Sequence, residues 1–111
     1  MNKTTVYLNK KGAEKLNYVG LEVVGHTKKE VCNGISALTW TLTEALNTET
    51  EGEVEAYEND DHMIITLKCK PTERTNLIFK TIATGLTMMQ QNYSEHMYPV
   101  EYKAPQKLVS A

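Results

Sequence analysis

Apolar and polar residues alternate along the first part of the chain in the pattern typical of strands with one buried face. Residues 4–9 and 15–24 both show this period of two. The apolar positions of the two segments are Val6, Leu8, Val19, Leu21 and Val23. The sequence KKGAE between the segments contains a glycine suited to a turn, so the two strands are predicted to form a hairpin that ends at Gly25.

Two other regions show the spacing of amphipathic helices, in which apolar side chains recur every three or four positions. Residues 30–47 form the first helix, with an apolar stripe made of Val31, Ile35, Leu38, Leu42, Ala45 and Leu46. The second helix follows Pro71, and Thr72 is suited to cap it. Its predicted buried stripe is Ile78, Ile82, Leu86, Met89 and Tyr93.

The remaining alternating segments predict three further strands. Residues 53–57 and 62–70 flank the turn sequence Asn59-Asp60-Asp61 and predict a second hairpin, and residues 98–103 predict a last strand. The order ββαββαβ predicts an α+β fold in which two helices pack on one face of a mainly antiparallel sheet. We expect residues 1–103 to form one domain and residues 104–111, which carry few apolar side chains, to be a frayed tail.

Composition and charge narrow the range of functions. The chain has 111 residues and a net charge of −2, and its lysines are scattered rather than gathered into a basic stripe, which argues against nucleic acid as a partner. The N-terminus has no apolar signal region and no apolar run is long enough to span a membrane, so a cytoplasmic protein without a membrane partner is expected. In that compartment the two cysteines are expected to be thiols.

The segment GHTKKEVCNGIS places a histidine and a cysteine six positions apart. Cys32 would lie in the first turn of the first helix, where unpaired backbone N–H groups and the helix dipole stabilise a thiolate. His26 follows the second strand, and the loop of residues 27–31 is long enough to bring its imidazole to the sulfur. This pair is a candidate for nucleophilic catalysis, although from spacing alone a cysteine and a histidine six positions apart are more often unrelated than catalytic.

A metal site is not favoured by the other histidines and cysteines. His62, Cys69 and His96 show none of the close pairs, such as CxxC, that structural zinc sites use. Cys69 continues the apolar face of its strand and is expected in the core, whereas His62 is expected to be solvated. His96 follows the last turn of the second helix. We therefore predict neither a metal nor a cofactor.

The stretch GHTKKEVCNGISAL, together with GLTMMQQNYSEHMYPVEY near the C-terminus, resembles the ribosomal-processing cysteine proteases of Firmicutes and their relatives. The resemblance implies a homodimeric endopeptidase in which His26 is the general base, Cys32 is the nucleophile and Ser36 lines the site. It also implies a substrate that is trimmed of a short N-terminal extension by a cut after aromatic residues. This substrate would be a ribosomal large-subunit protein or, in a divergent or viral copy, another protein.

Three residues after the candidate nucleophile are predicted to contact substrate. Ser36 shares a helix face with Cys32, but its hydroxyl could instead bond back to the Cys32 carbonyl. Asn33 and Gly34 are expected to supply backbone amides to an oxyanion hole, with the Asn33 side chain as an alternative donor. Glycine is unfavourable inside a helix, and a close approach by substrate or by the second helix would explain Gly34.

Departures from the family pattern leave other functions open. The His–Cys loop is shorter than in the relatives, and Lys29 stands where an acidic residue is common. Glu22 lies about 13 Å along the strand from His26, so no third member of the site is predicted. The alternatives are a non-catalytic peptide-binding module of the same fold and a thiol-based redox or metal sensor, although a resolving cysteine is missing for the sensor.

Overall fold

The computed structural model describes residues 1–11 and 15–104 and has the predicted order ββαββαβ. The strands and helices are β1 (Lys3–Lys11), β2 (Lys15–Val24), α1 (Lys29–Thr50), β3 (Val54–Glu58), β4 (His62–Leu67), α2 (Glu73–Asn92) and β5 (Glu101–Lys103). Five strands form one sheet in the order β3-β4-β2-β1-β5. The prediction of an α+β fold with two helices on one face of a sheet is confirmed.

The sheet is mixed but mainly antiparallel. β1 pairs with β2, β2 with β4 and β4 with β3 in antiparallel register, whereas β5 pairs with β1 in parallel. Across the centre, Val6 lies opposite Leu21 and Leu21 lies opposite Ile65. All three side chains are fully buried. This row on the helix-facing side forms the floor of the core.

Both helices bury the faces that their apolar spacing predicts, with differences at single positions. The buried side chains of α1 are Val31, Ile35, Thr39, Leu42 and Leu46, and those of α2 are Thr75, Phe79, Ile82, Ala83 and Leu86. Thr72 caps α2 as predicted, and its side chain accepts a hydrogen bond from the Thr75 amide. Tyr93, expected in the buried stripe, is exposed because α2 ends at Asn92 and Tyr93 is its C-cap.

Glycines allow α1 and α2 to approach closely. A Cβ added at Gly34 would lie 2.6 Å from the Met89 Cε atom, and one added at Gly85 would lie 3.1 Å from Leu38 Cδ2. Each helix therefore presents a glycine to a long side chain of the other. Of the two explanations considered for Gly34, the structure shows the close approach of the second helix.

Three predicted boundaries are wrong, and hydrogen bonding explains each difference. α1 continues to Thr50, and the amide of its C-cap Glu51 donates to the Asn47 carbonyl; the chain then turns through two residues with positive φ, Glu51 and Gly52. β4 ends at Leu67, whose partner Val54 is the first residue of β3; beyond this pair, the Lys68 amide still donates to the Glu53 carbonyl at 2.9 Å. β5 starts at Glu101 rather than at residue 98, since Pro99 has no N–H for a ladder.

No helix in the described part of the chain is both long and apolar enough to cross a membrane. The predicted frayed tail lies outside the described residues except for Ala104, as do residues 12–14 of the predicted first turn.

Candidate active site

A cleft of about 170 Å³ opens where β2 ends and α1 begins. Its lining includes His26, Cys32 and Ser36 from the β2–α1 region and Glu58 and Asp61 from the β3–β4 turn. Residues that are far apart in sequence meet here because β4 lies beside β2 in the sheet, which places the turn before β4 next to the loop after β2. The structure thus brings the predicted histidine and cysteine to the same cleft.

Cys32 lies in the N-terminal turn of α1 and is partly buried. Its amide donates to the Lys28 carbonyl at 3.0 Å, which is the first hydrogen bond of the helix. Its thiol donates to the carbonyl of Thr27 at 3.4 Å. The amides of residues 29–31 precede the first helical hydrogen bond and have no acceptor within α1, and the Lys28 side chain does not cap them. They therefore give the N-terminus of the helix a partial positive charge.

The loop that carries His26 is fixed through Gly25. The Gly25 amide donates to the Asp61 carbonyl at 2.8 Å, and its own carbonyl accepts from Asn2 Nδ2 at 3.2 Å. Gly25 has a φ of 95°, and a Cβ at this position would lie 2.7 Å from the Met1 carbonyl oxygen. Only glycine fits there without strain. The His26 imidazole itself is exposed and, within the described residues, makes no hydrogen bond or ion pair.

Of the three residues predicted to contact substrate, only Ser36 lines the cleft. On a helix Ser36 lies about 40° around the axis from Cys32, whereas Asn33 lies about 100° and Gly34 about 200° away. In the described structure the Ser36 hydroxyl does not bond back to the Cys32 carbonyl. The threonines of α1 do make such bonds to the carbonyl four residues earlier, at Thr39, Thr41, Thr43 and Thr50.

The reasoning behind an oxyanion hole at the Asn33 and Gly34 amides does not hold. α1 begins at Lys29, and Cys32 already donates the first helical hydrogen bond. The amides that follow Cys32 therefore lie opposite helical carbonyls of their own. The free donors belong to residues 29–31, on the N-terminal side of the cysteine.

A hydrogen-bonded chain of three side chains reaches the cleft from the outer face of the sheet. His62 Nε2 lies 2.6 Å from Glu22 Oε2, and the Tyr7 hydroxyl donates to Glu22 Oε1 at 2.8 Å. Burial, followed by the hydrogen bond to Glu22, raises the pKa of Tyr7 to about 12. The expectation of a solvated His62 is wrong, because the β2–β4 register brings it beside a carboxylate.

Sequence reasoning missed other residues that shape the site. Asn2 is buried and holds the His26 loop through Gly25, but no motif surrounds it in the sequence. In the sequence, Asp61 was recognised only as part of a predicted turn. Cys69 packs against the core and is partly buried. Across residues 1–11 and 15–104, no three histidine, cysteine or acidic side chains are grouped to hold a metal ion.

A thiol in the first turn of a helix and an imidazole that lines the same cleft are the groups needed for nucleophilic acyl transfer. The model of the cysteine protease Prp family matches residues 1–98. The chain belongs to the Prp family of cysteine proteases. No curated protein sequence matches the chain.

Solved structures show the Prp fold independently. A ribosomal processing protease Prp from Staphylococcus aureus, in complex with a covalently linked product peptide, superposes with a TM-score of 0.79 at 22% identity and covers 93% of this chain and 100% of its own. The same enzyme with a substrate peptide gives a TM-score of 0.73 at 18% identity with the same coverage. A Streptococcus mutans protein gives 0.71 at 23% identity and covers 92% of this chain and 95% of its own.

Proposed function

We propose that this chain is a cysteine endopeptidase with Cys32 as nucleophile and His26 as general base. The observation that carries the proposal is that these two residues, in a member of a cysteine protease family, line the same cleft. The uncapped N-terminus of α1 supports the role of Cys32, since unpaired amides and the helix dipole favour a thiolate.

In the proposed reaction His26 takes the Cys32 proton, and the thiolate attacks the scissile carbonyl carbon. The resulting oxyanion collapses, the C–N bond breaks, and the imidazolium protonates the leaving amine. His26 then takes a proton from water, whose oxygen attacks the thioester and releases the acyl product with regeneration of the thiol. The amides of residues 29–31, which have no acceptor within α1, are the candidate donors to the oxyanion, and Ser36 contacts the substrate.

The proposed substrate is a protein whose short N-terminal extension is removed by a cut after aromatic residues. The similarity to a ribosomal processing protease that was crystallised with substrate and product peptides supports a peptide substrate. A ribosomal large-subunit protein is the first candidate, and another protein is the candidate if this copy is divergent or viral. We also propose that the protein works in the cytoplasm as a homodimer.

The test incubates the protein with peptides that carry an apolar run, two aromatic residues and then alanine or serine, and locates the cut by mass spectrometry. We expect cleavage after the aromatic pair, and a loss of at least about a thousandfold in kcat for Cys32→Ala and for His26→Ala, because nucleophile and base act as a unit. His96→Ala, outside the cleft, is the matched histidine control and should retain activity. Substantial turnover by either dyad variant would exclude the dyad.

Alkylation of the thiols distinguishes a folded protein without a functional dyad from a protein that is not folded. Limiting iodoacetamide should label Cys32 ahead of Cys69, because Cys69 packs against the core whereas Cys32 lines the cleft. The labelling rate of Cys32 should change in His26→Ala. Faster labelling of Cys69 than of Cys32 would remove the chemical basis for a nucleophile. So would a labelling rate of Cys32 that is the same in the wild-type protein and in His26→Ala.

One observation favours the alternative of a non-catalytic peptide-binding module. No side chain in the described residues orients the His26 imidazole. A histidine left to rotate is a weaker general base than one held by a partner. Binding of the same peptides by the unmodified protein without any cleavage would support this second function.

A further inference from the structure

Asn2 is a buried polar residue at the cleft that contains Cys32. It is 2% exposed and is among the residues that line that cleft. Its backbone N–H and carbonyl are both bonded to the segment after α2, at His96 and Tyr98. Its side chain instead bonds to the carbonyl of Gly25, which also lines the cleft. The polar group that Asn2 presents to the cleft is therefore its side-chain amide.

The hydrogen bonds of the Asn2 side chain leave one of its donors available. A side-chain amide has two N–H donors on its nitrogen and a carbonyl oxygen that accepts. One N–H of Nδ2 donates to the Gly25 carbonyl at 3.2 Å, and Oδ1 accepts from the Thr4 hydroxyl at 3.4 Å. Because the Gly25 carbonyl can only accept, it fixes which end of the amide is the nitrogen. Within residues 1–11 and 15–104, the second N–H of Nδ2 has no acceptor.

We propose that Asn2 is a further catalytic residue, whose side chain donates its second N–H to the oxyanion that forms during peptide cleavage. The inference rests on the proposed endopeptidase function, in which the Cys32 thiolate attacks the scissile carbonyl. As the C–S bond forms, the π electrons of the carbonyl move to its oxygen, and the hydrogen bond from Nδ2 stabilises that negative charge. Nδ2 keeps its proton throughout, and the oxyanion then collapses as the C–N bond breaks.

The size of the cleft and the rigidity of Asn2 support this role. The cleft holds about 170 Å³, less than the roughly 300–1,000 Å³ of typical ligand pockets, so a carbonyl group beside Cys32 stays near the other groups that line it. The backbone and side-chain hydrogen bonds of Asn2 hold its amide in place before substrate binds. A donor fixed in this way needs no reorganisation when charge develops on the substrate oxygen.

The role also fits the supply of other donors. The amides that follow Cys32 lie opposite helical carbonyls, which leaves the amides of residues 29–31 as the backbone donors of α1. Oxyanion holes combine several donors, and side-chain amides serve in them beside backbone N–H groups. Asn2 adds such a donor from the chain segment before β1.

The first experiment measures cleavage of the peptides with two aromatic residues before alanine or serine, using the full-length protein. Asn2→Ala should lower kcat about a hundredfold and leave KM within about twofold, because the oxyanion forms only after the peptide is bound. Asn2→Asp has the same shape but presents an oxygen in place of the donor, and its kcat should be no higher. It also keeps the test available if alanine prevents folding.

Asn76→Ala is the matched control. The Asn76 side chain is also partly buried and also joins separate elements, since it accepts from the Tyr18 amide at 2.9 Å and donates to Asn17 at 3.1 Å. It is not among the described residues that line the cleft. Both alanine variants should lower the urea midpoint of unfolding, but only Asn2→Ala should lower kcat. An equal loss of kcat in Asn76→Ala would overturn a specific role for Asn2.

The second experiment separates the oxyanion bond from the bond to Gly25, which holds the loop before His26. Alkylation of Cys32 by iodoacetamide displaces iodide from carbon and develops no oxyanion. The alkylation rate in both Asn2 variants should therefore stay within about twofold of the wild-type rate, although kcat falls about a hundredfold. An alkylation rate that falls in parallel with kcat would reduce Asn2 to a residue that positions the loop, and would overturn the proposal.

The third experiment uses a peptide aldehyde as a stable analogue of the intermediate. The Cys32 thiol adds across the aldehyde C=O to give a hemithioacetal, whose oxygen occupies the position of the oxyanion. The inhibition constant should rise at least about tenfold in Asn2→Ala and stay unchanged in Asn76→Ala. Equal inhibition of wild type and Asn2→Ala would overturn the donor and leave the endopeptidase intact. A wild-type protein that neither cleaves the peptides nor binds the aldehyde would remove the endopeptidase and this inference together.

Discussion

Asn2 illustrates how a residue remote in sequence can hold a loop of the candidate site in place. Its amide donates to the His96 carbonyl at 3.0 Å, and its carbonyl accepts from the Tyr98 amide at 2.9 Å. Its side-chain nitrogen donates to the Gly25 carbonyl. The side chain is 2% exposed, so these bonds are made away from water. Asn2 therefore ties the loop before His26 to the segment after α2.

At the same scale, the Tyr7–Glu22 hydrogen bond predicts a pH dependence of stability. The pKa of Tyr7 is raised from 10.0 to about 12, first by burial and then by Glu22, because a phenolate would be desolvated and would repel the carboxylate. A raised folded-state pKa gives a stabilisation that is complete below pH 10, the unfolded value, and is lost as the pH rises through about 12.

The measurement is urea unfolding of the wild-type protein and of Tyr7→Phe between pH 8 and pH 11.5. We expect Tyr7→Phe to be less stable by about 1 kcal/mol at pH 8, where one hydrogen bond is missing, and this difference to shrink as the pH rises. Tyr102→Phe, at an exposed tyrosine, is the control and should show no such convergence. Parallel pH profiles for wild type and Tyr7→Phe would contradict the shifted ionisation.

The location of the candidate site was predictable where its residues lie close together in the sequence. His26 and Cys32 stand six positions apart between a strand and a helix, so their local spacing indicated a shared location. The Glu22–His62 contact spans forty positions and depends on the β2–β4 register, which the alternation of each strand alone does not determine. The unpaired backbone amides were predicted at the wrong residues. The end of a helix can be predicted only to within one or two residues, and a shift of that size changes which amides lack an acceptor.

At the scale of elements, the period with which apolar residues recur in each segment was sufficient to predict whether the segment is a strand or a helix. The apolar alternation of β1 and β2 and the helical stripes of α1 and α2 reflect burial against one another, so the pattern and the packing agree. The parallel pairing of β5 with β1 was not predictable, because it follows from where the chain returns after α2 and not from a local signal. The three-residue length of β5 also weakens its pattern.

The contact between α1 and α2 predicts the effect of a substitution at Gly34. Alanine is favoured over glycine inside a helix by about 1 kcal/mol, but its Cβ would lie 2.6 Å from Met89 Cε. The Met89 end is flexible and can move at a cost of about 0.5–1.5 kcal/mol. We expect Gly34→Ala to be within about 1 kcal/mol of neutral alone and stabilising by about 1 kcal/mol when Met89 is already alanine.

A double-mutant cycle of Gly34→Ala and Met89→Ala, measured by chemical denaturation, tests this coupling. Peptide cleavage provides a second readout. Because Gly34 faces α2 and does not line the cleft, KM and kcat should both stay within about twofold in Gly34→Ala. A rise in KM without loss of stability would instead place Gly34 in contact with substrate, and additive stability effects would contradict the contact with Met89.

At the scale of the whole molecule, the two helices cover only one face of the sheet. The opposite face carries Glu22 together with apolar and aromatic side chains, including Val24 at 41% and Tyr57 at 55% exposure. Side chains on this face alternate with those that point into the core, as the consecutive residues Val23 and Val24 of β2 illustrate. A small two-layer domain with such a face gains stability when a second layer covers it.

We therefore expect the proposed homodimer to form through this outer face of the sheet, with the two copies related by a two-fold axis. We expect light scattering at micromolar concentration to give twice the chain mass of 12.5 kDa. Val24→Asp places a charge on the face and should shift the mass toward the monomer, because an unpaired charge is costly to bury. Leu77→Asp, on the exposed side of α2, should remain dimeric. A monomeric wild-type mass would exclude the dimer, and a dimer unaffected by Val24→Asp would move the interface to another surface.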